Sequence, residues 1–297
     1  MNEKLPTIHS DYVFKQDDFP LSIHLNPGHP DYPMHRHEFE ELVIIKEGSG
    51  INSVDGMDYP LQAGDTFLIP RGRAHAYSRM NHLTCYNIYF DSRQFDLKRW
   101  VTQALPGFHA LFTVEPSYRR KKEFNSRLRL DMEQLLRIWN LAESMEQILA
   151  EEKPGFRFIA LARFLELTGL LSRYYEKAAH SDSLKILRIA KAISYMETCF
   201  TEDITVEHLA EIAHMSPRNF HRLFLAATGK TPTAHLIGLR VMQAAHLLSS
   251  TSQSITEISF VCGFTDSNYF ARQFRGLMNE SPSEFRKRTV WDRPHES

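Results

Sequence analysis

One stretch near the C-terminus of this chain is written twice. The first copy is ITVEHLAEIAHMSPRNFHRLFLAATGKTP (204–232) and the second is SITEISFVCGFTDSNYFARQFRGLMNESP (254–282). At an offset of fifty, Phe220 matches Phe270, Arg222 matches Arg272, Phe224 matches Phe274 and Pro232 matches Pro282. Before the turn the offset slips to forty-nine, pairing Leu209 with Ile258, Ala213 with Cys262 and Met215 with Phe264. The second turn is therefore one residue longer. Each copy reads as a helix, a tight turn and a second helix. Ala210 and Ala213 are small where two helices must cross, and Gly263 suits a turn needing positive φ. Ser216 and Asp266 are good N-caps, and Pro217 fits the first helical position. This is the helix-turn-helix pattern, whose second helix enters the major groove of DNA.

The start of each second helix carries the chemistry for that role. Arg218 and Arg222 lie one turn apart on one face, with Asn219 beside them, and can reach guanine edges or phosphate. Asp266, Asn268 and Arg272 offer an acceptor, an amide and a guanidinium, suited to cytosine N4, adenine and guanine or phosphate. A capped, solvated face would account for one such helix. Two copies with matched polar and apolar positions point to nucleic acid. The helix HLIGLRVMQAAHLLSST (235–251), with Arg240 on its polar side, joins the copies. If rigid, it would set the reading helices in successive major grooves, roughly 34 Å apart. Bulk charge is close to neutral, at -1, but the part from Ser183 onward has a small excess of Lys and Arg.

From about Ser22 to Tyr89 the texture is that of short strands cut by turn signals, which predicts a small β-barrel or double-sheet sandwich. Asp55-Gly56 reads as a hairpin turn. Within this region HRHEFEEL (35–42) places His35, His37 and Glu41 on one parity, so one strand would point all three to the same face. Arg36 would face away. Downstream, GDTFLIPRGRAH (64–75) reads G-x5-P-x-G-x2-H and delivers His75. These four side chains can hold a metal, hydrogen-bond a ligand, or sit as satisfied core residues. Arg71 and Arg73 fall in a loop at the expected pocket rim, where they would meet an anionic ligand or water.

Between the two regions, residues 121–177 show apolar positions at three- and four-residue spacing, starting with Leu128, Met132 and Leu135. They predict a helix pair covering the barrel, with a dimer surface on one helix. AAHSDSL (178–184) reads as a linker. The three cysteines are odd in number and widely spaced, which fits a reducing cytoplasm rather than a disulfide framework. The N-terminus has no signal-like apolar core, and no run has the length of a membrane span.

Residues 185–288 resemble the DNA-binding domain of the AraC/XylS family of bacterial transcription regulators, and the second copy follows that family's signature along nearly its whole length. The resemblance implies seven helices with two helix-turn-helix units, promoter binding, usually activation, and contact with RNA polymerase through an acidic residue. Glu257 holds the position that could correspond. Residues 20–90 resemble the cupin barrels, with one departure: Arg79 stands where asparagine is expected after His75. The cupin metal set would be His35, His37, Glu41 and His75, suited to a divalent cation. A metal-dependent cupin enzyme fused to a DNA-binding domain is the alternative function. In AraC-type regulators the barrel is instead the sensor, and these residues serve as hydrogen-bonding groups in an effector pocket. The run DYPMHRHEFEELVIIKEGSGINSVDGMDYPLQAGDTFLI (31–69) is similar to the rhamnose-operon activators of enteric bacteria. That likeness implies a regulator of sugar catabolism responding to L-rhamnose or a related sugar, and the helix pair is expected to make it a homodimer.

The expected fold is α+β: an N-terminal cupin β-barrel with flanking helices and a C-terminal all-α domain with two helix-turn-helix units. The expected layout is a sensing barrel over 1–120, a dimerisation or connector region over 121–177, a linker over 178–184, the DNA-binding domain over 185–288 and a tail over 289–297.

Overall fold

Apolar runs cut by turn residues become the strands of one curled sheet. The computed structural model describes residues 5–14, 19–95, 105–118, 128–177 and 181–291. Two compact units result, Met1–Lys191 and Ala192–Ser297.

In the first unit the strands are β1 (Thr7–Ile8), β2 (Leu21–Asn26), β3 (Tyr32–His37), β4 (Glu40–Val54), β5 (Met57–Gln62), β6 (Asp65–Ile69), β7 (His75–Phe90) and β8 (Leu128–Arg129). The sheet order is β1-β3-β7-β4-β6-β8, with β2 also on β7 and β5 also on β4. The long strands β4 and β7 pair with each other and bend. Register shifts between Ile45 and Ile51 mark the bend, as bulges do where a sheet must curl. The first part of β4 therefore meets β6, while its second part meets β5. Asp55 (φ 50) and Gly56 (φ 78) make the two-residue turn between β4 and β5, both in the left-handed region that a type I′ hairpin requires.

Strand alternation sorts β4 into two faces. Glu41, Val43 and Ile45 point inward, and the latter two join a core with Leu61, Phe67, Ile69, Tyr77, Leu83 and Cys85. Leu42 and Ile44, of the other parity, are also fully buried. A strand covered on both faces reads as a continuous apolar run, which is why ELVII shows no alternation. The outer face meets helices. Tyr86 of β7 lies 4.4 Å from Trp139, and Phe90 lies 5.0 Å from Phe164.

The helices of this unit are α1 (Ser10–Val13), α2 (Pro106–His109), α3 (Glu115–Tyr118), α4 (Met132–Glu151) and α5 (Phe156–Lys177), with a π-helical turn at Ala110–Val114. Leu128, expected to open a helical stripe, is instead in β8, where it pairs with Thr66. Asp131 fixes that boundary. Its side chain accepts from the Gln134 backbone while Gln134 reaches back, a capping box that starts α4 after the strand. Residues 121–127 of the expected helical region lie outside the described residues.

The helix α6 (Ser181–Cys199) begins inside the stretch expected to be linker, and the division between the two units falls within it. Small polar residues favour the first turn of a helix as readily as a loop. Then come α7 (Val206–Ile212), α8 (Pro217–Thr228), α9 (Pro232–Ser250), α10 (Ile255–Val261), α11 (Ser267–Met278) and α12 (Pro282–Trp291). These make seven helices with α6. The repeat is visible in the packing. The Phe220 and Phe224 rings meet at a tilt with centroids 5.4 Å apart, and their counterparts Phe270 and Phe274 meet edge to face at 5.6 Å, all fully buried. Burying one such ring contributes about 1.5–3 kcal/mol.

Candidate functional site

The barrel encloses a cavity of about 730 Å³ whose polar lining includes His24, Asn26, His35, His37, Glu41 and Asn87. Its chemistry centres on one carboxylate. Glu41 is 3% exposed. Its Oε2 lies 3.1 Å from His37 Nε2 and 3.3 Å from His75 Nε2, and its Oε1 accepts from Asn87 Nδ2 at 2.7 Å. The convergence does not come from a single strand. His37 ends β3, a bend at Glu38-Phe39 intervenes, and Glu41 lies in β4. Strand parity applies only while the strand continues, so the bend and not alternation brings His37 and Glu41 together.

Each imidazole is oriented from behind. His37 Nδ1 lies 2.5 Å from the Phe39 carbonyl, His75 Nδ1 3.2 Å from that of Arg73, and His35 Nδ1 2.9 Å from that of Pro33. A carbonyl only accepts, so each Nδ1 carries the proton. In the neutral tautomer His37 and His75 then turn Nε2 lone pairs towards an acceptor, Glu41. His75 Nε2 is buried with no hydrogen-bond partner, because its approach to Glu41 is close but poorly aligned. A proton on each Nε2, or one cation shared among the three groups, resolves the conflict. Donor atoms of His37, Glu41 and His75 lie within 4.8 Å of one another, as a metal site requires.

His35 stands outside that set. Its ring lies 4.1 Å from that of His75 but 6.4 Å from that of His37. Burial, reinforced by His75, lowers its pKa to about 4, which keeps it neutral at ordinary pH. Burial also opposes the charge on Glu41, but the facing His37 and His75 rings outweigh it and hold the carboxyl well below the usual range. Arg71 and Arg73 do not line the cavity. Arg73 is paired with Asp55, and Arg71 approaches Asp91 at 4.0 Å. Of the two alternatives left open for these arginines, neither places them in the cavity wall, and the only formally charged residues among its described lining are Asp11 and Glu41. Arg36 faces away, as parity predicts, with Nε donating to Thr7 Oγ1.

In the second unit, α8 and α11 present their polar faces outward. Arg218, Arg222, Asn268 and Arg272 are exposed. Arg222 Nη2 donates to Asn219 Oδ1 at 2.9 Å, so Asn219 steadies Arg222. The Arg272 guanidinium lies 6.0 Å from the Tyr269 ring. Asp266 is committed to the backbone, since its Oδ1 accepts from the N–H groups of Asn268 and Tyr269 and caps α11. Ser216 occupies the same place before α8 but makes no side-chain cap. Glu257 is likewise engaged, in a capping box with Ser254 at the start of α10.

Two sequence families match the chain. A cupin domain covers residues 21–86 and a helix-turn-helix domain covers residues 209–288. The HTH-type transcriptional activator RhaS of Enterobacter sp. (strain 638) is 29% identical over 287 residues, spanning 95% of this chain and 98% of the relative. The protein of the same name from Escherichia fergusonii is 30% identical over 276 residues, spanning 91% of this chain and 95% of the relative. The chain belongs to the AraC/XylS family of transcription regulators. Among solved structures, the DNA-binding domain of AdpA, in complex with a target DNA, is 33% identical, covering 36% of this chain and 97% of that one, with a TM-score of 0.35.

Sequence reasoning missed several residues of this AraC-type regulator. Asn87 and Tyr89 reach the pocket from β7. Their signal was an amide within the apolar run TCYNIYF, at the parity of the inward-facing Cys85. Arg240 was expected on a polar helix face. Instead its Nε and Nη2 donate to the Phe200 and Glu202 carbonyls, both at 2.7 Å, and its guanidinium lies 5.8 Å from the Phe264 ring. It ties the connecting helix α9 to the loop before the first helix-turn-helix and to the turn of the second. Bonds from a charged donor are worth about 1.5–3 kcal/mol. Arg240→Ala is expected to destabilise the DNA-binding unit by about that amount, read as a lowered denaturant midpoint. An unchanged midpoint would deny the clamp.

Proposed function

We propose that this AraC-type regulator is an activator of sugar catabolism whose barrel binds L-rhamnose or a related neutral sugar. The observation that carries the reading is the cavity lining. Imidazoles, amides and tyrosines suit hydroxyl groups, and no lysine or arginine is among the described lining residues. In this reading the barrel is a sensor and not a catalyst, and His35, His37, Glu41 and His75 contact or orient the sugar. The likeness to the rhamnose-operon activators supports the sugar's identity.

On the DNA side, Arg218, Arg222, Asn268 and Arg272 contact bases or phosphate, while Asn219 and Asp266 hold the reading helices in place. The chain works as a homodimer through the α4–α5 pair, where Met132 (81% exposed) and Phe158 (78% exposed) are open to a partner. It acts in the cytoplasm, and its contact with RNA polymerase includes Glu257. No helix among the described residues is long and apolar enough to cross a membrane. Footprinting on the neighbouring promoter, with and without a panel of neutral sugars headed by L-rhamnose, tests the whole reading. No protected site under any condition would overturn it. Arg218→Ala and Asn268→Ala are each expected to cost about 1–3 kcal/mol, confined to one base position. Equal loss on operator and random DNA would reduce them to phosphate contacts.

A second reading adds a divalent cation held by His37, Glu41 and His75, with Asn87 fixing the carboxylate. The opposed lone pairs of the two imidazoles favour it. When bound, the ion would supply a Lewis-acidic point for the hydroxyl oxygens of the effector.

A further inference from the structure

Strands β2 and β7 each form part of the cavity wall, and one side chain on α4 bonds to both strands. Leu25 of β2 is the direct partner of Tyr86 of β7. Glu146 bonds to each of them: its Oε1 accepts from the Leu25 backbone N–H at 3.2 Å and its Oε2 accepts from the Tyr86 hydroxyl at 2.9 Å. Leu25 itself lines the cavity, and so do residues beside the pair. His24 and Asn26 flank Leu25, and Asn87 follows Tyr86; all three line the cavity. A ligand drawing on these three would act on the two strands that bond to Glu146.

The mechanical setting favours transmission. Among the described strands β2 pairs only with β7, so its far edge is open and its freedom to shift is greater than that of β4 or β7. Glu146 satisfies an N–H on that strand with an acceptor carried by a helix. Tyr86 is rigidly placed, 1% exposed and packed on Trp139 of the same helix. Burial and the adjacent Glu146 carboxylate both raise the Tyr86 pKa, so its hydroxyl remains a donor. A change in the spacing of β2 and β7 therefore either breaks one of the two bonds or moves α4.

We propose that Glu146 is the coupling residue that carries effector occupancy from the barrel to the α4–α5 helix pair. The proposal rests on the sensor reading above and names how that same site is regulated through the helix. It assigns Glu146 to transmission and not to ligand binding, since the residue is not among those that line the cavity.

Glu146→Leu tests this in the full-length protein. The aliphatic side chain can accept neither bond, while approximate size and helix propensity are kept. Tyr86→Phe removes the same link from the other strand. Sugar affinity would be measured by titration calorimetry with L-rhamnose and the other neutral sugars, and operator affinity by gel shift with and without sugar. Both variants are expected to bind sugar and unliganded operator about as wild type, while the sugar-dependent change in operator affinity falls about tenfold. Coupling is reciprocal, so operator DNA should also lose its effect on sugar affinity. A residue that only docks the helix would move neither coupling. Variants that respond as wild type would overturn the proposal, as would a loss of sugar affinity that alone accounts for the lost response. A wild-type protein whose operator affinity ignores every sugar would overturn the sensor reading itself, and the proposal with it.

Discussion

Glu41→Ala is expected to destabilise the barrel by about 3–5 kcal/mol, the usual cost of breaking a buried ionic cluster by removing one partner. It should also abolish the sugar response. The size follows from how many groups depend on this carboxylate. His37, His75 and Asn87 all direct a polar atom at it, and it is 3% exposed. Removing it leaves three buried polar groups without their partner. Thermal and denaturant unfolding of the full chain would measure the loss, and sugar titration the silencing. Glu41→Gln separates the two uses of the side chain. If only hydrogen bonds are at stake, the amide restores part of the stability. If a cation is held, metal analysis shows it lost in both variants. An alanine variant as stable as wild type, with intact sugar binding, would remove Glu41 from the centre of the site.

Phe270→Ala should have an effect of similar size in the other unit. The ring is fully buried, 5.0 Å from Phe264 and 5.6 Å from Phe274, in the cluster that closes α10, α11 and α12 against α9. Truncating a core phenylalanine costs about 3–5 kcal/mol through lost burial and the cavity left behind. In a unit of this size that lowers the melting temperature by roughly 15–30 °C. Operator binding should fail well before the wild-type limit, although no residue that faces DNA has changed. Phe220→Ala, at the matched position, should lose a comparable amount. A small loss at either position would mean that the two copies do not share a packing plan.

The parts legible in the sequence were those encoded by short-range repetition. The matched phenylalanines marked one helix in each copy, because a buried stripe recurs with the helical period. Asp55-Gly56 marked its hairpin, because so few residues tolerate positive φ twice in a row. The pocket was half legible. The spacing of His35, His37, Glu41 and His75 told that they belong together, but not that His35 stands apart from the other three. That depends on the bend at Glu38-Phe39 and on the Pro33 carbonyl behind the ring, which spacing does not encode. Tertiary partners were invisible for the same reason. Leu128 looks helical until the open edge of β6 claims it. Arg240 looks solvated until two carbonyls of a distant loop are placed within its reach. The Asp266 cap was legible from its place before the second helix, whereas the capping box that Glu257 makes with Ser254 was not singled out.

The two turns of the repeat reach the left-handed region by different means, His214 at φ 50 and Gly263 at φ 84. At Gly263 a Cβ would stand 2.7 Å from the Thr201 carbonyl oxygen, so a side chain there meets backbone. Duplicated coding sequence invites unequal crossing-over between its halves. A product that carried the first turn into the second place would put histidine against Thr201 and fail to close. The two turns are therefore not interchangeable parts, although the helices that they join follow one plan.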